Sequence, residues 1–136
     1  MKKKLRVAII GCGRILPMHA VPATVLEQSE LVAVCDIRAE RAKAAAEKYG
    51  CKAYTDYKDL LKKEKLDAVH VCIPHYLHPI VSEYALSCGV NVLSEKPMAI
   101  DYESAEKCVR TAERFGLNYG VILQCRYNKS AQLVKR

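Results

Sequence analysis

The chain has 136 residues, of which 51% are hydrophobic, and a formal net charge of +7. That length suits one domain with a real core, and no apolar run is long enough to cross a membrane. The basic residues scatter among acids, as in Arg38-Ala-Glu-Arg-Ala-Lys and Lys62-Lys-Glu-Lys, without an aromatic platform, so no nucleic acid is expected as a partner.

The Met-Lys-Lys-Lys start carries the charge of a leader segment. The apolar run behind it, residues 5–10, is short and enters a glycine turn, so it reads as a buried first strand. A helix is expected over 14–28, broken near Pro22, then a strand over 31–36. A second helix covers 38–49 and ends at Gly50. A short strand at 51–54 and a helix at 56–64 follow. Asp67–Ile73 reads as a strand, 76–88 as a helix closed by Gly89, and Val90–Leu93 as a strand. The helix 101–115 ends at Gly116, and Asn118–Gln124 is the last strand. Arg126–Arg136 looks like the opening of a further helix. Residues 1–124 are therefore expected to form one domain, with 125–136 leading toward a C-terminal domain that these residues do not contain.

Strands such as Ala68-Val-His-Val-Cys-Ile are apolar without alternation, which suits a parallel sheet covered on both faces. The expected fold is α/β: a doubly wound, mainly parallel, six-stranded sheet in the order 3-2-1-4-5-6, with helices on both faces. Right-handed crossovers then place a ligand outside the carboxyl ends of the strands.

Several segments at that edge carry chemistry. In Val7-Ala-Ile-Ile-Gly11-Cys-Gly13-Arg14-Ile15, the first glycine makes a tight turn and the second lets backbone approach a pyrophosphate. Leu16 stands where a third small residue is usual, and should push the helix off the first strand or shift its start. Asp36, 23 residues beyond Gly13, ends the second strand where a ribose diol would lie. A carboxylate there favours NAD, while Arg38 could attract a 2′-phosphate, so NADP stays open. Pro74, His75 and His78 follow the fourth strand; no third ligand at metal spacing accompanies the histidines, and no metal is expected. His70, inside that strand, reads as a satisfied core residue. After the fifth strand comes Ser94-Glu95-Lys96-Pro97, where a lysine can hydrogen-bond a substrate hydroxyl and favour a developing alkoxide. The seven cysteines form no CxxC pair and fit a reducing, cytoplasmic setting.

Taken together, the AIIGCGRI turn, the VAVCDIR strand end, the CIPHYLH segment and above all GVNVLSEKPMA resemble the glucose–fructose oxidoreductase / inositol dehydrogenase (Gfo/Idh/MocA) family. The resemblance covers essentially the whole chain but only that family's N-terminal, Rossmann-type NAD(P)-binding domain. It implies an NAD(P)-dependent dehydrogenase acting on a sugar, cyclitol or related CH–OH substrate. Gly11, Gly13, Arg14 and Ile15 would hold the pyrophosphate and Asp36 the adenine ribose. Pro74 and His78 would line the cofactor cleft, with Glu95 and Lys96 near the nicotinamide and Lys96 catalytic in proton transfer. His75 stands where many relatives have asparagine. In that family a C-terminal domain supplies most substrate contacts and usually the subunit interface, so these residues alone are expected to show little activity, and homo-oligomerisation stays open. The alternative is a non-catalytic dinucleotide-binding module that senses redox state.

Overall fold

A computed structural model describes residues 3–134. Six strands, β1 (Leu5–Ile10), β2 (Ser29–Cys35), β3 (Lys52–Tyr54), β4 (Ala68–Val71), β5 (Asn91–Ser94) and β6 (Tyr119–Val121), form one sheet in the order β3-β2-β1-β4-β5-β6. Every neighbouring pair is parallel. The helices are α1 (Leu16–Val25), α2 (Ala39–Tyr49), α3 (Tyr57–Lys63), α4 (His78–Ser87), α5 (Tyr102–Phe115) and α6 (Lys129–Val134), with 3-10 turns at His75–Leu77 and Gln124–Tyr127.

Successive side chains of a strand point to opposite faces, so the sheet supports two cores. Ile9 and Val34 pack with Leu16, Ala20 and Ala23 of α1 and Ala45 and Ala46 of α2. Ala8, Ile10, Val69 and Val71 pack on the other face with Leu60 and Leu61 of α3, Val81 and Leu86 of α4, and Ala112 of α5. The β1–β2 register jumps from Val7↔Leu31 to Ala8↔Ala33, which leaves Val32 as an extra residue beside Ala33 in the second core.

The element order follows the sequence reading, but several bounds differ for local reasons. α1 is not broken at Pro22; the helix runs through it to Val25 and stops there rather than at 28. The carbonyl deprived of a helical donor by a proline four residues on is that of Met18. Met18 is exposed, so solvent can take that carbonyl. Leu16 does not push α1 away: it is the first helical residue, two positions later than expected, and it is buried in the core under the helix. β6 is shorter than expected, ending at Val121, and the 3-10 turn covers Gln124–Tyr127 ahead of α6. The last two residues of the expected terminal helix, and the first two of the leader-like start, lie outside the described residues.

At the amino edge of the sheet, opposite the glycine turn, Glu64 is buried beneath three partners. Lys52 Nζ donates to its Oε1 at 2.8 Å and the Tyr54 hydroxyl at 2.6 Å, and Arg6 lies 3.6 Å from Oε2. The Lys52 hydrogen bond, then that of Tyr54, holds the Glu64 carboxyl below its ordinary value of 4.5. A carboxyl lowered on folding stabilises the protein fully above its unfolded pKa, and that share is lost as pH falls through the folded value. Glu64→Gln should therefore flatten the dependence of urea midpoint on pH below about 4.5, and should cost about 1–3 kcal/mol at pH 7. An unchanged acid limb would show that the cluster contributes nothing to acid sensitivity.

Candidate functional site: a dinucleotide cleft at the carboxyl edge

Strand order reverses between β1 and β4, and the chain segments leaving those strands diverge there. The ladder continues a residue beyond each: Gly11 N–H donates to Cys35 O (2.7 Å), Cys72 N–H to Ile10 O (2.8 Å) and Glu95 N–H to Val71 O (2.9 Å). Gly11 is thus held between the ends of β2 and β4. Its φ is +107°, and a Cβ would stand 2.1 Å from Cys72 O, so glycine is required by fold alone. Gly13 differs: a Cβ built there meets nothing within 4 Å.

Asp36 closes the turn from the side. Its Oδ2 accepts from Cys12 N–H and its Oδ1 from Arg38 N–H, each at 2.9 Å. Each carboxylate oxygen retains a second lone pair. Beyond Cys12, the N–H groups of Gly13, Arg14 and Ile15 have no acceptor among the described residues, and α1 starts with no side-chain cap. Three successive free donors at the start of a helix form an anion-binding cradle. That cradle, the open space over Gly13 and the carboxylate at the end of β2 fit a dinucleotide's pyrophosphate and ribose.

Beside the cradle, at the ends of β1, β4 and β5, lies a cavity of about 680 Å³. Its wall includes Ile15, Met18, His19, His70, Glu95 and Lys96. The sequence-predicted residues fall into four groups. Gly11, Gly13, Arg14 and Ile15 make the turn and the helix start. Asp36 and Arg38 lie at the end of β2 and the start of α2, with the Arg38 side chain exposed. Glu95 and Lys96 follow β5 on the cavity wall, Glu95 half-buried and Lys96 exposed. Pro74 is exposed at the exit of β4, and His75 joins the wall from the 3-10 turn. His78 is fully buried, with Nδ1 2.7 Å from Pro97 O and Nε2 2.7 Å from Ile73 O, so it meets the cavity as part of the packed wall.

Sequence reasoning missed His19 and misread His70. His19, 4% exposed, donates from Nε2 to Glu95 Oε1 at 2.9 Å, and its Nδ1 lies 3.1 Å from Nδ1 of His70. His70 is thus a member of a polar chain at the cavity rather than a residue satisfied in the core. Burial, then the neighbouring His19, pushes its pKa down to about 4. The signal for His19 was present: with Leu16, Ala20 and Ala23 it completes the i, i+3, i+4, i+7 face that α1 turns to the sheet. The thiols at the turn are poor nucleophiles, since burial pushes Cys12 and Cys35 up to about 12.

A parallel sheet with its glycine turn at the switch point, free N–H donors opening α1 and a carboxylate ending β2 together define a dinucleotide-binding domain. Comparison with known proteins makes the assignment specific. Residues 5–123 match the model of the oxidoreductase family with an NAD-binding Rossmann fold, and the chain belongs to this family, Gfo/Idh/MocA. It is 41% identical over 114 residues to the D-glucoside 3-dehydrogenase of Escherichia coli (strain K12), covering 82% of this chain and 32% of that protein. Its structure superposes on the WlbA dehydrogenase of Bordetella pertussis in complex with NADH and UDP-GlcNAcA with a TM-score of 0.94. The two are 33% identical, over 98% of this chain and 41% of that one. A mutant 3-ketoreductase from Actinomadura kijaniata, in complex with TDP-benzene and NADP, gives 0.89 at 31% identity, over 97% of this chain and 42% of that one. The chain spans about a third of the length of the curated relatives it matches. Its cofactor class is the nicotinamide dinucleotides. No helix among the described residues is long and apolar enough to cross a membrane.

Proposed function

We propose that residues 1–124 are the cofactor domain of an NAD-dependent dehydrogenase acting on the CH–OH group of a sugar or cyclitol. In this reading 125–136 lead into a substrate-binding domain, and little turnover is expected from residues 1–136 alone. The observation that carries it is the run of free N–H donors at Gly13, Arg14 and Ile15 beside a cavity walled by Glu95 and Lys96. The pyrophosphate would take those donors, and Asp36 would accept from the adenine ribose on its remaining lone pairs. Since Asp36 would repel a 2′-phosphate and Arg38 lies close behind it, NAD is preferred over NADP without NADP being shut out. The bound nicotinamide would supply the hydride acceptor. Lys96 Nζ would donate to the substrate hydroxyl oxygen and favour its negative charge as its proton passes to an acid/base residue of the further domain. Pro74 and His78 would shape the wall between them. A reducing, cytoplasmic setting suits the seven free thiols, and a homo-oligomer would form through the further domain.

Titration of the 15N-labelled chain with NADH should shift the amide resonances of Gly13, Arg14 and Ile15 the furthest. Resonances that stay fixed while remote ones move would overturn the placement. Gly13→Ala provides a second check. Its Cβ enters open space in the free chain, so the urea midpoint should stay close to that of the wild type, whereas NADH affinity should fall by about tenfold or more as the methyl group meets the pyrophosphate. Wild-type affinity would argue against close approach at Gly13.

A further inference from the structure

The segment Glu95-Lys96-Pro97 is tied to both faces of the sheet by histidines. From the α1 side, His19 Nε2–H donates to Glu95 Oε1 (2.9 Å), while Glu95 Oε2 accepts from the Lys96 backbone N–H at 3.3 Å. From the α4 side, His78 Nδ1 lies 2.7 Å from Pro97 O. Lys96 thus stands between two anchored residues on the cavity wall, and its own side chain is exposed. We propose that His19 is a positioning residue for Lys96: through the Glu95 carboxylate it fixes the backbone from which the Lys96 amine reaches the nicotinamide end of the cofactor. The inference rests on the reading of Lys96 given under the proposed function.

The chemistry of the chain makes His19 more than a packing residue. A carboxylate only accepts, so the His19 proton facing Glu95 resides on Nε2. With His70 neutral and His19 Nδ1 as the acceptor, His70 donates to it from its own Nδ1. His70 thereby selects the His19 tautomer that serves Glu95, in the way that a second hydrogen bond fixes a functional histidine elsewhere. Burial of His70 and its proximity to His19 favour the neutral form that this arrangement uses. A leucine at 19 would fill the same core volume and lose the donor. A glutamine would place its amide N–H near the position of Nε2–H and keep it.

The test is cofactor affinity in a double-mutant cycle on the full chain, read by NADH fluorescence titration, with folding checked by urea midpoint. Lys96→Ala should weaken NADH binding. His19→Leu should cost about tenfold in affinity when Lys96 is present and less than about twofold in the Lys96→Ala background. His19→Gln should restore most of the loss. If Lys96→Ala binds NADH as the wild type does, the Lys96 amine does not reach the cofactor and the proposal is overturned, while the role of Lys96 toward the substrate hydroxyl stands. If Lys96→Ala weakens binding but His19→Leu costs the same in both backgrounds, or if His19→Gln is as weak as His19→Leu, the proposal alone is overturned. Should His19→Leu not fold, the comparison of His19→Gln with wild type in the two backgrounds decides: glutamine within about threefold of wild type in both supports the donor role, and a larger equal loss in both contradicts it.

Discussion

Gly11→Ala should leave the chain unable to reach its native stability. The new Cβ would stand 2.1 Å from Cys72 O and 2.6 Å from Cys72 C, both backbone atoms, at a φ of +107° that side chains rarely adopt. Neither neighbour can move away cheaply. Gly11 N–H is bonded to Cys35 O, and Cys72 N–H is bonded to Ile10 O on the preceding residue. Relief would require prising β1 from β2 or β4, the centre of the sheet. Domains of this size carry about 5–15 kcal/mol of stability, and backbone overlap of this kind costs more than about 4 kcal/mol. The expected result is a urea midpoint lowered by more than half, or no cooperative transition. A midpoint near that of the wild type would show that the turn can rebuild itself and that the observed packing of Gly11 on Cys72 is not required.

Gly11 and Gly13 stand two residues apart in one motif, yet they carry different burdens. The first is demanded by the polypeptide itself; at the second the chain leaves a Cβ open space, so a demand for glycine there would come from the pyrophosphate we propose. The motif in the sequence signals a glycine turn but does not divide the two roles. The division comes from what surrounds each Cβ position, and that depends on β4, some sixty residues further along the chain.

Asp36→Ala should give the second large effect, on both binding and stability. The carboxylate already accepts from Cys12 N–H and Arg38 N–H in the free chain. It therefore helps to hold the cradle open, besides the role toward a ribose that we propose for it. Losing the carboxylate leaves the half-buried Cys12 N–H without its acceptor, at about 1–3 kcal/mol, while the exposed Arg38 N–H turns to water. Removal of two charge-assisted bonds to the ribose should lower NAD affinity by about a hundredfold. NADP should suffer less, because the repulsion of its 2′-phosphate goes with the carboxylate while Arg38 stays. The check is calorimetric affinity for both nucleotides together with the urea midpoint. NAD affinity within about threefold of wild type would remove Asp36 from the ribose site, even if the stability loss appeared as expected.

Most of the fold was legible because each local signal agreed with the global arrangement. β1 has the bounds read from its apolar run, and Gly50 and Gly116 end α2 and α5 in the left-handed conformation that glycine permits. Continuous apolar strands alternating with helical segments leave little choice but a covered parallel sheet. Pro22 was misleading because a proline within a helix costs least where the unpaired carbonyl meets solvent, and exposure is not a property of the proline itself. The site was legible where its residues share a motif, as at Gly11–Ile15 and Glu95–Lys96. It was illegible where they meet across the sheet. His19, His70 and Glu95 are 51 and 76 residues apart in their two contacts, and they meet only because β1, β4 and β5 are neighbours. The tie between Asp36 and Cys12 N–H was hidden for the same reason: the sequence suggested a ribose ligand, while the structure adds a support for the turn.

Calorimetric titration of the wild-type chain with NAD and, separately, with NADP tests the claim that a nicotinamide dinucleotide is held at the carboxyl edge of the sheet. Saturable binding at one site per chain, tighter for NAD than for NADP, is the expected result. No binding of either nucleotide by a chain that unfolds cooperatively in urea would contradict the claim and leave the cradle at Gly13–Ile15 without its ligand.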